Sequence, residues 1–209
     1  MTGMLIAEQL MLVSIEPVKG VFESSRSHLD VDTLAAAALL LDLAEQKRLR
    51  FNAGYVAIET NLPSSHAQLT AASQALTGHP MRIDAAIELL VSRLSPIGGA
   101  LLDSLFRRDV LHRVRVSWLP GSGRRYPLRS LQARNEVIAH VREAAEAESP
   151  SLRGTGLLML VDLAGRLATL LDASHHEAAM RRLDMLMGTY GGDSADTRLL
   201  SAMRRALLD

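Results

Sequence analysis

Cysteine is absent from the 209 residues of the chain, which removes disulfides, thiolate zinc sites and cysteine nucleophiles together. That composition fits a reducing compartment. Aromatic side chains make up only 3% of the chain, so a core has to be assembled from Leu, Ala, Val, Ile and Met. Leu and Ala are strong helix formers, and such a core suits packed helices better than a β-sandwich. No sign of charge predominates: 23 Lys and Arg stand against 23 Asp and Glu, unlike the cationic excess of a dedicated nucleic-acid binder. Long apolar runs are missing too. Leu34–Ala44 is interrupted by Asp42 and Leu157–Ala164 by Asp162, both short of the ~20 residues needed to span a bilayer. Met1–Glu8 has neither the basic start nor the apolar run of a signal peptide. With 48% apolar and 22% charged residues, the expectation is a soluble, cytoplasmic, single globular domain over residues 1–209.

What is present reads as mostly α. Leu5–Ile15 has helical apolar spacing and stops at Pro17 and Gly20. Asp30, Asp32 and Thr33 form an N-cap cluster before Leu34–Arg48. That helix is apolar nearly all round and belongs at the centre of the core. Leu49–Phe51 and Tyr55–Ile58 read as a small β-hairpin turning at Gly54. Short or amphipathic helices are expected over His66–Leu76, Arg82–Arg93 and Ala100–Arg108, with a break near Pro96 and Gly98-Gly99. A second hairpin follows, out along Leu111–Leu119 and back along Arg124–Leu128. Helices then cover Leu131–Glu148, Leu152–Leu171, Ser174–Met187 and Asp196–Leu208. Leu40–Leu49 and Leu101–Leu111 echo each other, each a helix with a basic last turn feeding a hairpin. Structural duplication and the ordinary preference of cations for helix C-termini both explain that echo.

Chemistry-bearing patterns are few. His175-His176-Glu177 lacks the second histidine of a zinc helix, and the other five histidines share no ligand spacing. Gly154-Thr155-Gly156 and Gly121-Ser122-Gly123 lack the lysine of a phosphate loop, and no nucleophile elbow occurs. Neither an enzyme nor a cofactor is expected.

The informative stretch is Asp103–Arg134, with eight arginines against two aspartates. The second hairpin inside it carries the only tryptophan. Trp118 and Leu119 sit toward its tip, and Arg124 and Arg125 open the returning strand. An amphipathic ring and an aliphatic neighbour backed by guanidinium groups have the chemistry of an interfacial anchor. A tryptophan folded onto the core with solvated arginines, and a dimer contact through Leu111–Leu128, use the same residues. A winged-helix reading of Ala100–Leu128 is weakened by the apolar character of Ala100–Phe106 and by Pro96 and Gly98-Gly99 before it.

The order of these elements resembles the Golgi phosphoprotein 3 family, effectors of phosphatidylinositol 4-phosphate. Leu5–Leu12 looks like its first helix, Leu39–Leu49 like its central LELALRGRL helix, and Leu101–Leu111 like its LVEKGVL segment. Arg125-Tyr126-Pro127-Leu128 looks like its return from the hairpin, and Gly156–Leu171 like its late apolar helix. The resemblance implies a mostly helical single domain without catalysis, a phosphoinositide headgroup pocket, and a hairpin used for membrane contact or self-association. The positions corresponding to the pocket's tryptophan and three arginines hold Ser27, Ala36, Ser95 and Gly98, so the family pocket is expected to be degraded. Arg26 and Arg93 stand nearby as partial replacements. The reading is therefore a peripheral membrane or adaptor protein binding anionic lipid, phosphoinositide included, through Arg26, Arg93, Trp118, Leu119, Arg124 and Arg125. A protein-only, self-associating adaptor and a DNA binder are the alternatives.

Overall fold

In the computed structural model, residues 3–22, 29–115, 123–149, 151–187 and 194–209 are described. The chain is mostly α, and its buried apolar side chains form one core. Helix α1 (Ile6–Ser14) is buried along all nine residues, and α2 (Val31–Glu45) from Leu34 through Leu43. The expected central helix is there, but it shares the centre with α1 and with α7 (Leu152–Leu163). These three pack on one another. The reason is visible in their sequences: each is apolar around most of its circumference, so none has a face to give to water. Each fully buried Leu among them contributes about 1.5–3 kcal/mol.

Around this centre lie α3 (Ala67–Ala75), α4 (Ile83–Leu94), α5 (Ile97–Arg107), α6 (Leu131–Glu146), the short α8 (Leu167–Leu170), α9 (Ala173–Met187) and α10 (Ala195–Leu208). The caps follow the sequence signals. Asp30 accepts the Thr33 N–H at 2.9 Å at the start of α2, and Ser130, Ser151 and Ser194 do the same for α6, α7 and α10. Helix α5 begins three residues earlier than the expected Ala100, with Gly98 and Gly99 inside its first turn. The expected Leu152–Leu171 helix is split, because Gly165 takes a left-handed conformation (φ +67°) and the chain restarts at α8. Among the described residues no single helix is long and apolar enough to cross a membrane. The pair α4 and α5 qualifies together, but it is bent by 66°.

Strands β1 (Leu49–Asn52) and β2 (Tyr55–Ile58) form the first hairpin, with Leu49 opposite Ile58 and Asn52 opposite Tyr55. A two-residue strand β3 (Met81–Arg82) adds to β2, too short for any sequence pattern to reveal. The second hairpin joins β4 (Val114–Arg115) to β5 (Arg124–Arg125), closed at its foot by a bridge between Leu111 and Leu128.

The echo between the two helix-to-hairpin junctions has a common local cause. At the end of α2 the Arg48 N–H donates to Leu43 O and the Lys47 N–H to Ala44 O. At the end of α5 the Val110 N–H donates to Leu105 O and the Asp109 N–H to Phe106 O. Both are Schellman closures, and both place a non-glycine residue in the left-handed region, Lys47 at φ +54° and Asp109 at φ +59°. A left-handed residue with a Cβ costs about 1–2 kcal/mol, while glycine adds about 0.4–1 kcal/mol of unfolded-state entropy. Lys47 is exposed, so Lys47→Gly is expected to stabilise the fold by up to about 1 kcal/mol, read as a raised urea midpoint at unchanged slope.

Candidate functional site

The arginine-rich stretch is assembled around one carboxylate. Asp103, on the second turn of α5, accepts from Arg113 at 3.2 Å, from Arg124 at 3.1 Å and from the Tyr126 hydroxyl at 2.9 Å. It thereby ties the helix to both arms of the second hairpin. Burial and then the neighbouring Asp103 carboxylate hold the Tyr126 hydroxyl above its ordinary pKa, so it stays a neutral donor. Arg113 also stacks over the Phe106 ring at 4.4 Å.

Most of the eight arginines are engaged. Arg108 bonds the buried carboxylate of Glu8 at 2.7 Å, Arg129 pairs with Asp109, and buried Arg134 donates to Ile15 O at 3.3 Å. Arg107, Arg115 and Arg125 are exposed, and among the described residues no acidic side chain forms a salt bridge with them. Arg124, a sequence-chosen lipid contact, is committed to Asp103 while remaining half-exposed. Arg125 is exposed on β5, and Arg93 is exposed in the last turn of α4. Arg26, Trp118 and Leu119 lie outside the described residues.

Exposed apolar side chains accompany these exposed cations. Val114 is 47% exposed on β4, and Val18 is 80% exposed on the loop after α1. That loop is fastened to the returning arm of the hairpin: the Tyr126 N–H donates to Gly20 O at 2.7 Å and the Leu128 N–H to Pro17 O at 2.8 Å.

Of the positions expected to correspond to the family's pocket, Ser27 lies outside the described residues, and Ser95 and Gly98 are bonded to an acid of the chain. Asp32, in the first turn of α2, accepts the Ser95 hydroxyl at 2.5 Å and the Gly98 N–H at 2.8 Å. A carboxylate of the chain itself therefore sits at the N-terminus of α5, where backbone donors and the helix dipole favour an anion. A Cβ at position 98 would lie 2.6 Å from Val31 Cγ1, and Ala36 is fully buried, so neither place has room for an arginine. Beside this capped helix start, on another face of α5, a cavity of about 630 Å³ opens between the loop after α1, α5 and β5.

Sequence reasoning missed Asp103 and Asp32 as organisers. The signal for Asp103 was its position as one of two acids in an arginine-rich stretch. For Asp32 there was none beyond its N-cap chemistry, because its partners are more than 60 positions away. Among the described residues, no three His, Asp or Glu side chains converge as a metal set. His175 instead pairs with Asp172 at 2.7 Å.

A mostly helical chain with a central apolar helix, and a basic hairpin hung from its α5 segment, defines the class. The sequence profile of the Golgi phosphoprotein 3 (GPP34) family matches residues 6–208, nearly the whole chain, and the protein belongs to that family. Among curated proteins no match was found.

Proposed function

We propose that this chain is a non-enzymatic, peripheral membrane-binding member of its family, acting in the cytoplasm and docking on anionic lipid through the second hairpin. The observation that carries the reading is the pairing of exposed Arg115 and Arg125, which have no acidic partner among the described residues, with exposed Val114 on the same two short strands. Apolar side chains enter the interfacial region while guanidinium groups meet phosphates. Trp118 and Leu119, in the chain between β4 and β5, supply the inserting tip. The family's headgroup pocket is closed in this chain, with Asp32 standing where a phosphate would bond the start of α5. Lipid recognition is then electrostatic rather than stereospecific.

Co-sedimentation tests this with three vesicle types: neutral, generic anionic, and phosphatidylinositol 4-phosphate at matched charge. Equal binding to both anionic vesicles is expected, with none to neutral ones. Binding confined to the phosphoinositide would mean that the pocket works despite Asp32, and no binding at all would favour a protein partner. Each basic residue near an anionic surface contributes about 1 kcal/mol. The double replacement Arg115→Gln with Arg125→Gln is therefore expected to weaken anionic-vesicle binding by about 30-fold at unchanged thermal midpoint. Binding at the wild-type level in that variant would remove these side chains from the interface.

A further inference from the structure

We propose that the cavity beside the second hairpin is a binding site for one single-chain anionic amphiphile, with its tail against α5 and the loop after α1 and its head at Arg124. The apolar wall is made by Val21, Phe22, Leu94, Pro96 and Leu102, and Asp103, Arg124 and Tyr126 gather at one side. At about 630 Å³ the space lies in the range of small-molecule sites, which are mostly apolar with a few convergent polar groups. The polar side selects the charge of the head. Among the described lining residues Asp103 is the one carboxylate, and two guanidinium groups, Arg113 and Arg124, already bond it. These three groups together carry one net positive charge. The Tyr126 hydroxyl is turned to Asp103 as well, and half-exposed Arg124 offers its guanidinium group to an anionic oxygen.

The two adjacent glycines of α5 separate packing from vacancy. Gly98 is required by contact, since a Cβ there would meet Val31 at 2.6 Å. Gly99 is required by no described neighbour: among the described residues a Cβ there would find only Pro96 carbons at 3.8 Å, an ordinary contact. Glycine in a helix is less favourable than a residue with a side chain. Its presence at position 99, in the lining, keeps the cavity open.

The test is calorimetric titration of the full chain with dodecanoate below its micelle-forming concentration, beside acetate and dodecyltrimethylammonium. Saturable one-to-one binding of dodecanoate is expected, with none of acetate and at least tenfold weaker binding of the cationic amphiphile. Gly99→Leu fills the cavity and is expected to weaken dodecanoate at least tenfold at an unchanged or raised thermal midpoint. Val21→Asp, which places a charge in the partly exposed tail wall, guards against a folding defect in the first variant and should give the same loss. Arg124→Gln should erase the preference for the anionic head. Wild-type binding in both cavity variants, equal affinity for the two head charges, or non-saturable uptake would overturn the site. This site and the membrane reading fail separately. A chain that takes up dodecanoate and ignores anionic vesicles retains the site and loses the docking, and the converse result does the reverse.

Discussion

Asp42→Ala is expected to destabilise the protein by about 3 kcal/mol at pH 5 and by almost nothing at pH 8. Asp42 is fully buried in α2, and its two carboxylate oxygens accept the Ile6 N–H at 2.7 Å and the Ala7 N–H at 3.1 Å. These are first-turn donors of α1 that no helical carbonyl can reach. Removing the acceptor leaves two buried N–H groups unsatisfied, at about 2 kcal/mol each. Against this stands the charge. Burial, opposed by these two hydrogen bonds and by Arg153, pushes the Asp42 carboxyl up from its ordinary 3.8 to about 7. A carboxyl that holds its proton more tightly when folded contributes stability that is fully present below pH 3.8 and lost as pH rises to about 7. At about 1.4 kcal/mol per pH unit the loss over that window is about 4 kcal/mol, of which somewhat over 1 has gone by pH 5. Urea denaturation of wild type and variant at the two pH values measures the difference directly. A loss of the same size at pH 5 and pH 8 would show that the amide donors and Arg153 outweigh burial, and that Asp42 is ionised in the folded protein across that range.

Asp42 also shows what the sequence could and could not reveal. Its helix was legible, because ten consecutive positions from Leu34 are small or apolar apart from this one acid, and the acid itself excluded a membrane span. What it does there was not legible: its partners are more than 30 positions away, on a helix whose own polar residues, Glu8 and Gln9, gave no hint of complete burial. The same division runs through the chain. Local signals placed the cap at Asp30, the first hairpin around Ala53-Gly54 and the helix break near Pro96. Local signals failed where the decisive contact was distant or the element was minimal. Strand β3 is two residues long, α5 starts before its glycines because Asp32 reaches over to cap it, and α7 ends at Gly165 where apolar spacing alone continues to Leu171.

The candidate site divides in the same way. Counting arginines found the right stretch, but counting cannot tell a solvated guanidinium from one held by Asp103, Glu8 or Asp109. Among the described residues the structure leaves three exposed arginines of the eight, Arg107, Arg115 and Arg125, without an acidic partner, and it moves interest from Arg124 as a free phosphate ligand to Arg115 and Arg125. It also adds a part of the surface that no motif marked, the loop of Pro17–Phe22 bound along the returning arm of the hairpin.

That loop gives the second large effect: Gly20→Ala is expected to lower stability by at least 3 kcal/mol and to weaken anionic-vesicle binding as well. Gly20 is left-handed at φ +64°, and a Cβ there would fall 2.2 Å from Pro127 N and 2.2 Å from Tyr126 C. Those are backbone atoms, which cannot swing aside as a flexible side chain can. The loop must then leave the hairpin, losing the hydrogen bonds from Tyr126 N–H to Gly20 O and from Leu128 N–H to Pro17 O and exposing buried Tyr126. For a chain of this size, 3 kcal/mol corresponds to a fall of about 6–12 °C in thermal midpoint. Gly54 supplies the control. It too is left-handed, at φ +86°, but a Cβ there would meet nothing within 4 Å. Gly54→Ala therefore measures backbone strain alone, expected at about 1–2 kcal/mol, with vesicle binding unchanged. The excess of Gly20→Ala over Gly54→Ala is the worth of the junction between loop and hairpin. Equal losses in the two variants would mean that the loop yields at little cost, and that the hairpin holds its place through its contacts with α5.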